Sequence, residues 1–213
     1  MLKIEQSVKD LRNSLQTMLE LVEKMVNDIK IMLNTEDLSG IERTFEQDTT
    51  LDSLEKKLDD QAIALLALVS PMATDLRFVF SVIKLNVDLE RMGDECKNVA
   101  KELRNVKLPL PEEIKQLSIK VFEMVRDSFV ALRDENTTLA REIVLRDDEV
   151  DKLEYHILQK YTQSIGIAFA AKALERISDH ATNICENVIY VIDGVDIRHE
   201  NTIMKRLGKN EKF

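Results

Sequence analysis

Glu90 and Asp94 stand one helical turn apart, with Asn98 a turn further, inside the segment Leu89-Glu90-Arg91-Met92-Gly93-Asp94. The arrangement returns as Glu175, Asp179 and Asn183, inside Leu174-Glu175-Arg176-Ile177-Ser178-Asp179, at a constant offset of 85 residues. A second pattern, Asp-x-x-x-Asp-x-x-Glu, reads Asp48, Asp52, Glu55 and then Asp147, Asp151, Glu154, at a constant offset of 99. Positions i, i+4 and i+7 share one face of a helix, so each set aligns its carboxylates in a row. Like charges so spaced repel by roughly 0.2–0.5 kcal/mol per pair on an isolated helix. The chemistry that rewards such a row is cation binding. Oxygen-only ligands suit hard ions: ferric iron, manganese, magnesium or calcium, with zinc also within reach. So many carboxylates could bridge several ions. No His or Cys occupies these positions, and His156 and His180 read as ordinary helix residues.

The elements that must carry these rows follow from hydrophobic spacing. Leu11, Leu15, Met18, Val22, Met25, Ile29 and Met32 recur at steps of four and three, predicting a first helix from near residue 4 to 33. Ser39-Gly40-Ile41-Glu42 has the form of a capping box, and a second helix is expected from there to about Ser70, ahead of Pro71. A third runs to about Val106. Leu108-Pro109-Leu110-Pro111 then reads as a hinge at the midpoint of the chain. Ile114, Leu117, Val121, Val125, Ser128 and Leu132 mark a fourth helix, and Asp134-Glu135-Asn136-Thr137 a turn and a new start. The fifth reaches about Tyr161, and the sixth spans about Ile165 to Ile192 before Asp193-Gly194. The fold class is therefore all-α: six long antiparallel helices in two pseudo-equivalent three-helix bundles. The expected divisions are 1–107, 112–194 and a polar tail, 195–213.

The acidic rows fall on helix seams. In the third helix Leu76, Phe80, Ile83 and Val87 are followed in the same rhythm by Glu90 and Asp94; in the sixth, Ile165, Ala168 and Lys172 are followed by Glu175 and Asp179. Positions so phased should face a neighbouring helix. In an antiparallel hairpin, residues equidistant from the turn lie level. Asp52 with Glu90 and Asp48 with Asp94 both centre on residue 71; Asp151 with Glu175 and Asp147 with Asp179 both centre on 163. Each half can thus gather four or five carboxylates at one level between helices 8–10 Å apart. An unpaired cluster there would be strongly destabilising. Arg91 and Arg176 are placed to offset part of it, and Asn98 and Asn183 to support the ligands from behind.

Composition narrows the alternatives. Of 213 residues, five are Gly, three Pro and none Trp, which leaves room for long helices and little else. A formal charge of −9 argues against nucleic acid, which calls for a basic stripe. Cys96 and Cys185 form no Cys-x-x-Cys and fit a reducing cytosol. No signal-peptide core and no apolar run of about 18 residues is present, so nothing is expected to span a membrane.

The doubled Leu-Glu-Arg-x-x-Asp and Asp-x-x-x-Asp segments resemble the PhoU family, the cytoplasmic regulators associated with the phosphate-specific ABC transporter. The likeness runs over essentially the whole chain. It includes Ser70-Pro71-Met72-Ala73-Thr74-Asp75-Leu76-Arg77 at the turn into the third helix and Arg198-His199 near the end; Ser178 stands where that family often has Gly. The resemblance implies multinuclear iron or zinc clusters on Asp48, Asp52, Glu90, Asp94, Asp147, Asp151, Glu175 and Asp179, to which the phasing adds Glu55 and Glu154. It further implies a negative regulator of phosphate uptake and of the phosphate-starvation response. Its partners would be the transporter's ATPase subunit and a sensor histidine kinase, with peripheral membrane association at most; a homodimer stays open. Two other classes compete: a metal-free helical adaptor, and a carboxylate-bridged di-iron enzyme. The second normally uses Glu-x-x-His, which is absent here. Because the two offsets differ by 14, helices two and three should each run about seven residues, roughly 10 Å, further beyond the acidic level than helices five and six.

Overall fold

The computed structural model describes residues 2–69, 73–195 and 197. Among them are six α-helices and no strand: α1 (Leu2–Thr35), α2 (Ile41–Val69), α3 (Ala73–Leu103), α4 (Glu112–Arg133), α5 (Thr137–Lys160) and α6 (Ile165–Asp193). The turn at 70–72 and the Arg198-His199 pair lie outside the described residues. Each observed helix lies close to its predicted span, and the seven-residue seam of α1 is buried throughout. One local expectation fails. The capping box at Ser39 does not form; Asp37 caps a short 3-10 turn, Leu38–Gly40, by accepting from the Ser39 N–H at 3.0 Å, and α2 starts behind it. At α5 the start is as read: Asn136 accepts from the Leu139 N–H at 3.0 Å.

The repeat shows in details beyond the acidic motifs. The first helix of each half ends in a glutamate of left-handed conformation, Glu36 (φ 60°) and Glu135 (φ 51°), 99 residues apart. A buried aspartate on α1, Asp28, accepts from Gln47 of α2; at the same offset Asp127 of α4 accepts from Arg146 of α5. Helices α1, α3, α4 and α6 form a central bundle, with α2 and α5 on its flanks. α3 runs antiparallel to α6, as Ser81–Asn187, Asp88–Asn183 and Glu95–Arg176 contacts show. α1 runs antiparallel to α4, with Asn34 on Ser118 and Lys30 over Phe122. The buried apolar side chains form one continuous core across both halves. The proline-rich connector is fastened to it: Leu110 is buried, and its N–H donates to Glu36, which also holds Lys115 at 2.6 Å.

Hairpin lengths differ in the expected sense. α2 continues 17 residues past Asp52 to Val69, and α5 only 9 past Asp151 to Lys160. On the return, 17 residues separate Ala73 from Glu90, and 10 separate Ile165 from Glu175. The apolar part of the second seam departs from expectation. Phe80, Val87 and Ile165 are 54%, 40% and 69% exposed.

Gly93 sits where α2 and α3 approach closely: a Cβ there would stand 2.1 Å from Cδ2 of the buried Leu51. Its counterpart, Ser178, is fully buried and turns its hydroxyl onto the Glu175 carbonyl at 2.6 Å, so the second half accommodates a side chain at this point. Gly93→Ala gains about 1 kcal/mol of helix propensity but overpacks Leu51 by about 1–3. The expected result is a lowered thermal midpoint in the parent, and a raised one when Gly93→Ala is added to Leu51→Ala. Additive effects in that double-mutant cycle would rule out the close contact.

Candidate metal centre

Both hairpins bring their carboxylates together. In the first half the charges of Asp52 and Asp94 act on Asp48, and those of Asp94, Glu55 and Asp52 act on Glu90. In the second, Glu175 and Asp151 act on both Glu154 and Asp179. One oxygen from each of Asp147, Asp151 and Asp179 falls within 4.8 Å of the others, the one such three-carboxylate group among the described residues. That span matches oxygens around a single ion at 2.0–2.6 Å.

Two lysines answer part of the charge, and they do so differently. Lys97 of α3 reaches across to Asp48 of α2 at 2.5 Å and back to Asp94 at 2.9 Å. It lies one further step along the same 4-3 rhythm that carries Glu90 and Asp94, so the seam places it on the acidic face but does not show its reach to Asp48. Lys172, the outlier of the sixth-helix seam, bonds Glu175 at 2.8 Å and stands 3.8 Å from Glu154. Lys97 therefore closes the Asp48–Asp94 end of the first ladder, while Lys172 closes the Glu154–Glu175 end of the second. Glu154 is only 7% exposed, and its Oε1 and the Glu175 Oε2 are buried without accepting a hydrogen bond.

The other expected supporting residues go elsewhere. Arg176 and Asn98 both bond Glu95, at 3.1 and 3.0 Å, and Asn183 donates to Asp88 at 3.0 Å. Arg91 is exposed. These side chains belong to the contact between α3 and α6, where His180 also meets Asp88 at 2.9 Å. The arginine, one residue past the glutamate, points about 100° away from it; the asparagine, four residues past the aspartate, is instead engaged by Glu95 or Asp88.

Burial and crowding set the protonation of the acids. Withdrawal from water raises Asp48, Glu90 and Glu154 above the usual carboxylate range, with neighbouring carboxylates adding to it. For Asp48 the Lys97 contact opposes the rise; Lys97, which burial alone would lower, is held up by its bonds to Asp48 and Asp94. The two shifts point to different proton counts. The lysine side governs at neutral pH, because even a raised carboxyl loses its proton well below a lysine. Asp179 is pushed up to about 6, first by burial of its carboxyl and then by Glu175 and Asp151. It keeps more than a third of its surface open. The shift belongs to the carboxyl end, which faces its acidic neighbours, and that is the part that titrates.

Raised values have a definite consequence for stability. Between an unfolded carboxyl value of about 4 and the raised one, the folded chain binds more protons, so stability falls as pH rises through this window. Glu113 acts in the opposite sense and at lower pH: its bonds to Lys160 and Tyr161 hold it down to about 2, and its contribution is lost as pH falls towards that value. In metal-stripped protein, Asp179→Asn should therefore match the parent's thermal midpoint near pH 4 and exceed it at pH 7. Midpoints that run parallel across pH 4–7 would show that the carboxyl is not held up.

Comparison with known proteins places this arrangement in context. A family model described as the PhoU domain matches twice, at residues 15–103 and 114–188. A phosphate-specific transport system accessory protein PhoU homolog of Clostridium acetobutylicum is 32% identical over 209 residues, covering 91% of this chain and 95% of that protein. A homolog of the same description from Thermotoga maritima is 28% identical, covering 91% and 90%. Among solved structures, the crystal structure of PhoU from Pseudomonas aeruginosa superposes with a TM-score of 0.82 at 30% identity, covering 90% of this chain and 99% of that one. The phosphate transport system regulatory protein PhoU of Streptococcus pneumoniae gives 0.81 at 26%, covering 91% and 98%.

Proposed function

The chain belongs to the PhoU family, and from that premise we propose that it is an accessory and regulatory protein of a phosphate-specific transport system that holds metal ions in its two acidic ladders. The role is regulatory rather than enzymatic. Relatives covering nearly their whole length carry the name of transport accessory proteins, which supports the role. The metal part of the reading rests on one observation, the convergence of Asp147, Asp151 and Asp179 within 4.8 Å. In the first half Asp52, Glu55 and Glu90 would hold an ion, and Asp48 and Asp94 would join once Lys97 swings aside. Iron or zinc is the reading taken from the family, and the donor set equally accepts manganese, magnesium or calcium. A bound cation would supply charge neutralisation where repulsion is greatest. Among the described residues no helix is long and apolar enough to cross a membrane. The protein would work from the cytoplasm on the transporter's ATPase subunit and a sensor histidine kinase, keeping the phosphate-starvation response off.

Lys97 and Lys172 favour a second reading, a metal-free adaptor in which ammonium groups take the place of ions. Metal analysis with thermal unfolding separates the two. A ligand that binds only the folded state adds about 2.7 kcal/mol at a hundredfold excess over Kd, or about 5–11 °C for a domain of this size. The expected outcome is a midpoint that rises by that order with ferric iron, zinc or manganese and returns with chelator. Asp151→Asn with Asp179→Asn should remove the second-half metal, and Asp52→Asn with Glu90→Gln the first-half metal alone. No change with chelator in the parent would leave the adaptor. For the role itself, deletion should leave starvation genes on in phosphate-rich medium with transport intact; loss of uptake outright would count against a regulator.

A further inference from the structure

The central bundle loses one of its four helices at one end. The Asn34–Ser118 and Lys30–Phe122 contacts set Arg133, the last residue of α4, level with about Leu19 of α1. α1, however, begins at Leu2, α3 at Ala73, and α6 continues to Asp193. Where α4 stops, the other three helices go on, and a notch of about 320 Å³ opens between them. Its floor is apolar, with Leu15, Leu19, Leu85 and Val188, all buried by their neighbours. Its rim carries Arg12, Arg77 and Arg133 against a single carboxylate, Glu135. Three guanidinium groups around one apolar floor stand out on a chain of net charge −9.

We propose that this notch receives an acidic amphipathic helix of a partner protein, lying where α4 would have continued. The rim arginines do not converge on one point: Arg12 stacks over Phe78 at 4.0 Å, and Arg133 bonds Asp134 at 3.0 Å. They suit carboxylates spread along both edges of an apolar stripe better than one compact anion. A helix in a hydrophobic groove with charged edges meets both demands. Entering with its N-terminus towards α4, it would set its positive end against the C-terminal carbonyls of that helix. The chain's own residues 198–213 fit poorly, because five Lys and Arg outnumber two Glu there and the rim would repel them. A second copy fits poorly too: the acidic helices of this chain, α2, α3, α5 and α6, already bury their apolar faces in the core. The inference is independent of the metal reading.

The test is photo-cross-linking of the full chain in its own cells, with p-benzoylphenylalanine at Gln16 or at Ile192, which is 44% exposed, and mass-spectrometric identification of the captured peptide. Label at Tyr155 on α5, 63% exposed, serves as the control. Adducts from 16 and 192, and not from 155, should converge on one segment of another protein, helical in pattern, with Asp and Glu flanking an apolar stripe. Arg77→Glu with Arg133→Glu should cut the yield about tenfold or more, while Arg77→Lys with Arg133→Lys should keep it within about threefold. Unfolding midpoints confirm that these surface variants remain folded. An adduct to residues 198–213, to a second copy, to lipid or to a basic segment would overturn the proposal. So would no adduct, or a yield indifferent to charge reversal.

Discussion

Ten carboxylates set between packed helices are the constraint that everything else in this protein accommodates. Each half aligns five of them at one level, and at short range inside a protein the repulsion is far larger than on an isolated helix. Such a cluster survives only when the frame holding it cannot relax. The frame here is the continuous apolar core, whose seams run the length of α1, α3, α4 and α6 with side chains such as Met25, Leu89, Val121 and Ile177 wholly buried. The acids occupy the neighbouring seam, one helical stripe away, so the same backbone rigidity that excludes water from the core also fixes the distances between charges. Lys97 and Lys172 relieve the most buried members, Asp48 and Glu154, which are 6% and 7% exposed.

The halves are duplicated in sequence but meet through unlike groups. Under the 85-residue offset, the mate of the Glu95–Arg176 contact would set Arg91 against His180. His180 instead bonds Asp88, as Asn183 does. Positions equivalent in the repeat, Glu95 and His180 or Asp88 and Ala173, have thus taken different chemistry at the contact between α3 and α6. Paired asymmetry of this kind fixes one orientation of the two halves. Arg176, Asn98 and Asn183 bond Glu95 and Asp88 and so do not serve the acids.

Most of the fold could be read from spacing, because long helices with few breakers leave a clear 4-3 signal and the repeat checks each element twice. The acids could be placed level by the position of two turns alone. What spacing could not reveal was the third dimension of long side chains. Lys97 crosses from α3 to α2, and its reach, rather than its position, decides that Asp48 is paired. Nor could the pattern show which apolar positions lie uncovered: Phe80 and Val87 follow the buried rhythm yet are exposed. The start of α2 differs for a local reason: Asp37 accepts the Ser39 N–H that a capping box would give to Glu42, and the chain makes a 3-10 turn before α2.

The two lysines make the ladders electrostatically distinct even though their carboxylates repeat residue for residue. The repeat equivalent of Lys97 is Thr182, whose hydroxyl is buried without a hydrogen-bond partner; that of Lys172 is the exposed Val87. Positive charge therefore sits at the Asp48–Asp94 end in one half and at the Glu154–Glu175 end in the other. A cation approaching the first ladder meets its least opposed field near Asp52 and Glu90, and one approaching the second meets it near Asp147, Asp151 and Asp179. Filling either ladder completely requires an ammonium group to leave its carboxylates, at a cost set by bonds of 2.5–2.9 Å. Duplicated ligands do not make duplicated sites. The electrostatic difference between the halves is set by which end each lysine holds, a property written in two residues outside the shared motif.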